Sequence, residues 1–353
     1  MFRRNSFWLV IISVFVIMLM AACGSGGSGA PAGSGTPAGS EGSAGADLPQ
    51  VTWKLASQSA DNVLFASMLR DVAAEVSERT NGGFNLQVYT NASLGSDREI
   101  AEGVQAGIID CGQVTQAVLA NFCPALGVSD LPYLIPDWES AKIFLTDPQI
   151  YEIQKNALAD NGFHFFGAVC YGFRQCTNNI RPINTLEDFV GIKFRVMQSD
   201  IYIATFKALG AYPVGMAKAE VVTALQQHTI DGQENPMEIN FNEGMADVQK
   251  YLSKTSHVSA FADFVCNPAS YAALPDEYKT VLDEVFAEYL LKTTEGYQRE
   301  EDEYAQKLAD AGMEYNIVSE ENLAEFRRVC QEQVWPQFAD QFADQIAIIE
   351  TIF

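Results

Sequence analysis

Basic residues are scarce in this 353-residue chain: 22 Lys and Arg stand against 45 Asp and Glu, a formal net charge of −23. A nucleic-acid binder needs a basic footprint to neutralise phosphates, and so does a protein held on anionic lipid by its own charge; both classes are excluded. An anionic small molecule is not excluded, because a buried site is governed by its local charges and donors. Histidine is rarer still, with only His164, His228 and His257, widely spaced. No Cys-x-x-Cys pair exists, so no zinc site is expected. There is no Gly-rich phosphate loop, and no cofactor is expected. Neither Gly-x-Ser-x-Gly nor His-Glu-x-x-His occurs in the body, which argues against a hydrolase. Spacing alone leaves open a Cys–His pair or an acid-pair glycosidase, because both are assembled in space rather than in sequence.

Long apolar runs are few as well. Phe7 to Ala22 is broken only by Ser13 and follows Arg3 and Arg4. It falls short of the roughly 20 residues of a membrane span and ends in small residues, the pattern of a signal peptide over 1–22. Leu19-Met20-Ala21-Ala22-Cys23-Gly24 resembles a bacterial lipoprotein signal, with Met20 where Leu is usual. That resemblance implies lipidation of Cys23; an uncleaved anchor is the alternative. Either way the body lies outside the cytoplasmic membrane. Gly24 to Asp47 is Gly, Ser, Ala, Pro and Thr with two acids, and cannot bury enough apolar surface to order itself. As a coil it reaches about 25–30 Å, which suits a tether over 23–49.

Six further cysteines follow: Cys111, Cys123, Cys170, Cys176, Cys266 and Cys330. Their even number permits up to three disulfides. Three of them sit in apolar strand-like runs, which suits buried thiols equally. Hydrophobic residues at 48% and charged residues at 19% describe a globular body long enough for two domains.

That body alternates strands and helices. Val51–Ser57, Phe84–Tyr89, Ile108–Val114 and Phe163–Cys170 read as strands. Asp61–Arg79, Asp97–Ala106, Asp137–Leu145 and Pro148–Ala159 read as helices. A second unit runs through strands at Gly172–Asn178, Ile192–Val196 and Tyr212–Val214, with helices at Thr185–Phe189, Ile201–Leu209 and Ala219–Gln227. Ile230-Asp231-Gly232 turns the chain into a loop ending at Pro236. This rhythm predicts α/β architecture with largely parallel sheets. Asp276 to Ala311 holds a single Gly and no Pro, and as one helix of about 54 Å would span two lobes. Glu314–Ile317 reads as a strand, followed by a helix capped by Ser319 and another from Gln337.

The polar groups that could recognise a ligand lie mainly in 170–240. In Ile192-Lys193-Phe194-Arg195-Val196 the alternation puts Lys193 and Arg195 opposite the apolar residues. An Arg at a strand end facing a cleft makes a bidentate clamp for a carboxylate. From spacing alone, Arg195 and Arg174 fit solvated or ion-paired arginines just as well.

The segments Gly172-Phe173-Arg174-Gln175, Ile192-Lys193-Phe194-Arg195-Val196 and Asp231-Gly232-Gln233-Glu234-Asn235-Pro236 occur in that order. With Leu94-Gly95-Ser96-Asp97-Arg98-Glu99, they resemble the solute-binding component of tripartite ATP-independent periplasmic (TRAP) transporters of the C4-dicarboxylate-binding type. The resemblance runs from Val51 to the C-terminus. It implies a two-lobed periplasmic-binding-protein-like α/β fold with a hinge and a long helix spanning both lobes. Lobe one would be 50–171 plus 261–300, and lobe two 172–260 plus 301–353. Arg195 would form the salt bridge to a ligand carboxylate, Arg174 would be a second donor and Asn235 a hydrogen-bonding partner. The implied partners are an organic acid, the TRAP permease subunits and, through lipid, the membrane; the implied state is a monomer.

The sequence departs from the family at Lys218, where a bulky aromatic is common. Lys218 is either a second cation for the ligand or a solvated helix-start Lys. Gln58, Ser59, Gln113 and Thr115 lie where lobe one would face ligand, as neutral donors and acceptors. His257 and Phe261 fit a buried strand. A tethered subunit presenting ligand to a signalling receptor is the rival function.

Overall fold

The computed structural model describes residues 48–352, which fall within one compact unit. The signal peptide, Cys23 and nearly all of the tether lie outside the described residues. The elements are β1 (Val51–Ser57), α1 (Leu64–Arg79), β2 (Phe84–Tyr89), α2 (Asp97–Gln105), β3 (Cys111–Thr115), α3 (Gln116–Leu119), α4 (Trp138–Thr146), α5 (Pro148–Asp160) and β4 (His164–Phe173). Then come β5 (Gln175–Asn178), β6 (Lys193–Val196), α6 (Asp200–Ala208), β7 (Tyr212–Gly215), α7 (Val221–Gln226), β8 (Gly232–Asn235), α8 (Met237–Asn242), β9 (Tyr251–Lys254) and β10 (Ser259–Cys266). The chain closes with α9 (Pro268–Ala272), α10 (Asp276–Asp310), β11 (Glu314–Ile317), α11 (Glu320–Gln333) and α12 (Trp335–Ile352).

Helix starts follow local signals. Ser96 and Glu99 form a capping box on α2, the Glu99 carboxylate accepting from Ser96 N at 2.8 Å. Asp147 accepts from Gln149 N and Ile150 N ahead of Pro148, the first residue of α5. Such caps contribute about 1 kcal/mol each. Helix α1 starts at Leu64, later than the expected Asp61, because its first amides find distant partners. Leu64 N donates to Glu238 at 2.8 Å and Phe65 N to the Tyr297 hydroxyl at 3.2 Å. Its apolar stripe of Phe65, Met68, Leu69, Val72 and Val76 packs with Phe264 and Phe286, each side chain contributing roughly 1.5–3 kcal/mol on burial.

The strands form two sheets, β2-β1-β3-β10-β4 and β11-β9-β5-β8-β6-β7. Both are largely parallel, with one antiparallel strand in each. In the first, β10 runs antiparallel to β3 and β4; in the second, β5 runs antiparallel to β8 and β9. The cause is a pair of crossings. After β4 the chain passes through Arg174 alone into β5, and after β9 it returns through 255–258 into β10, so each sheet receives one reversed strand.

The expected loop at 232–236 is instead β8, buried along its whole length between β5 and β6. Its residues Gly232-Gln233-Glu234-Asn235 show no apolar alternation, so periodicity could not mark them. A Cβ on Gly232 would sit 2.4 Å from Thr177 O, and only glycine allows β5 that close.

Helix α10 has 35 residues. Its Leu282, Val285 and Phe286 join the core of the first sheet, and its Ala305 and Leu308 pack with Leu252 of the second. The final helix, read from sequence as part of the second lobe, also grips the segment 124–130. Gln341 and Gln345 donate to Pro124 O and Ala125 O at 2.9 and 3.0 Å. All six described cysteines are free and buried. Burial raises every one of their thiols, with Cys123, Cys170 and Cys330 pushed up to about 12.

Candidate ligand-binding cleft

One cleft collects the eight residues that the sequence places toward a ligand: Gln58, Ser59, Gln113, Thr115, Arg174, Arg195, Lys218 and Asn235. Gln58, Gln113 and Thr115 come from the ends of β1 and β3, and Ser59 lies beside them. Arg195 comes from β6 and Lys218 from the turn before α7. Arg174 occupies the first crossing, and Asn235 ends β8.

Arg174 is fully buried and already has its counter-charge. Its Nε and Nη2 meet the two carboxylate oxygens of Glu234, the Nη2–Oε1 distance being 3.0 Å. Nη2 also donates to Glu234 O at 2.6 Å and Asn235 Oδ1 at 2.9 Å, and Nη1 reaches the Tyr171 hydroxyl at 3.3 Å. His257 Nε2 lies 3.3 Å from Glu234, with its Nδ1 2.9 Å from Thr255 Oγ1. Burial would lift the Glu234 carboxyl, but Arg174 and His257 together outweigh it and hold it below the usual range. Burial lowers the His257 imidazole. Arg174 is therefore first a pillar of the hinge, and only its Nη1 side remains for a ligand.

Arg195 is the contrast. It is 4% exposed, and its Nε donates to Met216 O at 3.0 Å. Among the described residues no carboxylate pairs with it, and Nη1 and Nη2 have no protein partner. Burial lowers its guanidinium to about 10. A buried cation without a partner is costly, and a planar fork open on a cleft matches a carboxylate.

The wall from the first sheet is hydroxyl- and amide-rich. Gln113 Oε1 accepts from Ser57 Oγ at 2.6 Å and Ser59 Oγ at 3.2 Å, which turns its amide nitrogen toward the cleft. Gln58 Nε2 donates to Asp97 Oδ2, and Thr115 N donates to the same oxygen at 3.2 Å. Lys218 faces the cleft but pairs with Glu243, so it is not a free second cation. Asn235 is held at both ends, by Arg174 on Oδ1 and by Gln233 on Nδ2. His257 and Phe261 do not line the cleft: His257 belongs to the hinge network and Phe261 to the apolar core.

Asp97 and Tyr171 also line the cleft without having been singled out. Asp97 had a signal: the Ser96–Glu99 capping box places it on the first turn of a helix that follows a strand. Burial raises its carboxyl to about 6 against the Thr115 hydrogen bond and the charges of Lys218 and Arg195.

Residues 56–341 match the family model described as bacterial extracellular solute-binding protein, family 7. The chain is 32% identical over 295 residues to the C4-dicarboxylate-binding periplasmic protein DctP of Rhodobacter capsulatus, covering 79% of this chain and 82% of that one. A TRAP periplasmic solute-binding protein of Bordetella, with density assigned to pantoate, superposes with a TM-score of 0.79 at 30% identity, over 84% of this chain and 98% of that one. Another, from Polaromonas and bound to D-erythronate, superposes at 0.81 with 28% identity, over 86% and 99%. The chain belongs to family 7 of the bacterial extracellular solute-binding proteins, the binding components of TRAP transporters, which are receptors and not enzymes.

Proposed function

We propose that this chain captures an organic acid between its two sheets and presents it to a TRAP permease. The observation that carries this reading is Arg195, a buried guanidinium whose fork has no protein partner. A ligand carboxylate supplies the missing counter-charge in two charge-assisted hydrogen bonds. Asn235, fixed by Arg174 and Gln233, offers its remaining polar valences, and Arg174 Nη1 adds a donor. Gln58, Gln113 and Thr115 contact the rest of the ligand, and the Lys218–Glu243 pair closes the rim. Closure bends the two strand crossings while α10 keeps the lobes in register. Cys23, lipidated, tethers the monomeric receptor to the membrane on its 23–49 linker. The Rhodobacter, Bordetella and Polaromonas relatives support an acid ligand.

The test is thermal unfolding of the protein against a panel of organic acids. A true ligand at 100 times its dissociation constant adds about 2.7 kcal/mol. A clear upward shift with one acid class is expected. No shift with any acid, in protein unfolded and refolded to remove bound ligand, would overturn the reading.

A further inference from the structure

Two of the six buried cysteines face each other. Cys111 opens β3 and Cys266 ends β10, and the register of that antiparallel pair sets them directly opposite. The next pair outward is Asp110 with Asn267, where Asn267 N donates to Asp110 O at 2.8 Å. Hydrogen-bonded and non-hydrogen-bonded pairs alternate along an antiparallel ladder, so Cys111 and Cys266 form a non-hydrogen-bonded pair. Such pairs hold their α-carbons about 4.5 Å apart, with both side chains on one face. That separation lies within the range a disulfide spans. Both side chains enter the same apolar cluster, and neither residue is more than 1% exposed. No other described cysteine is placed this way. Cys170 lies opposite Phe261, and Cys176 opposite Glu234 and Ser253; Cys123 and Cys330 lie outside the strands.

We infer that Cys111 and Cys266 close a disulfide when the chain folds outside the cytoplasmic membrane, and that this bond staples the second sheet to the first. The family is extracellular, and disulfides form and persist in such compartments. The structure carries the pair in its thiol form, from which the step starts. The thiolate of one cysteine attacks a disulfide of an exported oxidant, protein or small molecule. A mixed disulfide forms and one oxidant thiolate leaves. The second cysteine's thiolate then attacks the first cysteine's sulfur, and the other oxidant thiolate departs. The two protons lost by the cysteines end on the two oxidant thiols, so the oxidant disulfide is reduced as the protein is oxidised. Burial raises both thiols in the folded chain, and Cys111 adds to the rise at Cys266. The thiolate is the reacting form, so the bond closes before the sheet packs. It closes a long loop. The chain between the two cysteines carries every strand of the second sheet except β11, and the longer the loop, the more freedom a staple removes from the unfolded chain. The pair sits at the far end of β3 from Thr115, away from the groups that face the cleft.

The experiment maps the thiols of the full-length protein, exported by a bacterial host, purified without reductant and unfolded in iodoacetamide. The expected map links Cys111 to Cys266 and alkylates Cys123, Cys170, Cys176 and Cys330. Protein that is unfolded, reduced and refolded under reductant should melt at least about 5 °C below the oxidised protein. Cys266→Ala should melt at one temperature with or without that treatment, whereas Cys170→Ala should keep the difference. Alkylation of both Cys111 and Cys266 without reduction would overturn the inference, as would a link from either to another cysteine. A linked pair whose reduction leaves the melting temperature unchanged would overturn the staple. Should Cys266→Ala not fold, the wild-type map and its response to reduction still decide. The receptor reading does not rest on this bond and stands or falls on the acid panel alone.

Discussion

The hinge and the cleft wall each bury an arginine, and the two are solved in opposite ways. At the crossing between β4 and β5, Arg174 is neutralised by Glu234 and held by Asn235 and Tyr171, with only its Nη1 side left to donate further. On β6, Arg195 has a single backbone acceptor and an open fork. The same side chain is structural where the fold supplies its anion and functional where the fold withholds it. Removing the first should therefore be read in stability, and removing the second in binding.

The largest effect falls on the hinge. Arg174→Met leaves the Glu234 carboxylate buried beside a His257 imidazole whose own protonation burial disfavours, and breaking a buried pair costs about 3–5 kcal/mol. Urea denaturation should show that loss without ligand; a loss below about 1 kcal/mol would erase the contrast with Arg195. Next comes Arg195→Lys. The charge survives but the planar fork does not, so titration calorimetry should show affinity for the cognate acid falling by about 1–3 kcal/mol. Ligand-free stability should hold.

A third comparison sets a buried acid against the cationic centres. Asp263 on β10 accepts from Gln116 Nε2 at 2.9 Å through Oδ1, and its Oδ2 has no partner. Burial raises its carboxyl from 3.8 to about 8, against the Gln116 hydrogen bond. Between those values the folded chain keeps a proton that the unfolded chain has released, so stability falls as pH rises through that window. Asp263→Asn should flatten that part of the decline and leave the variant more stable than wild type at pH 9 by roughly 1–3 kcal/mol. Denaturation at pH 5 and pH 9 checks the sign; an unchanged slope would show that Asp263 is not carrying it. The smallest effect belongs to the surface. Arg328 pairs with Glu325 and Glu332 on α11 while half exposed, and Arg328→Ala should cost less than about 0.5 kcal/mol.

What the sequence disclosed follows the range of the forces involved. Capping signals at Ser96, Asp147 and Ser319 act within three residues, and the helices they start are where the pattern puts them. The Gly- and Pro-poor stretch from Asp276 becomes one helix for the same local reason. Strand direction is set by where the chain crosses between sheets, which no local pattern records, and so the reversed strand in each sheet was not foreseen. β8 was hidden because its Gln233, Glu234 and Asn235 are polar and become buried only by bonding to Thr177, Arg174 and Asn240. The cleft was legible residue by residue, since alternation in β6 already set Arg195 apart from Phe194. Which arginine would stay unpaired was not: Glu234 lies 60 residues from Arg174. Asp97 escaped notice because acids in a helix's first turn, here Asp97 and Glu99, usually serve the helix dipole and its cap.

The most direct test of the account is titration of Arg195→Ala with the acid that most raises the melting temperature of the wild-type protein. Binding should weaken by about 2–5 kcal/mol, because the ligand carboxylate is left buried without its cation. The ligand-free melting temperature should not fall, because a buried unpaired charge has been removed. Wild-type affinity in that variant would contradict the central claim that the cleft is built around an arginine awaiting its anion.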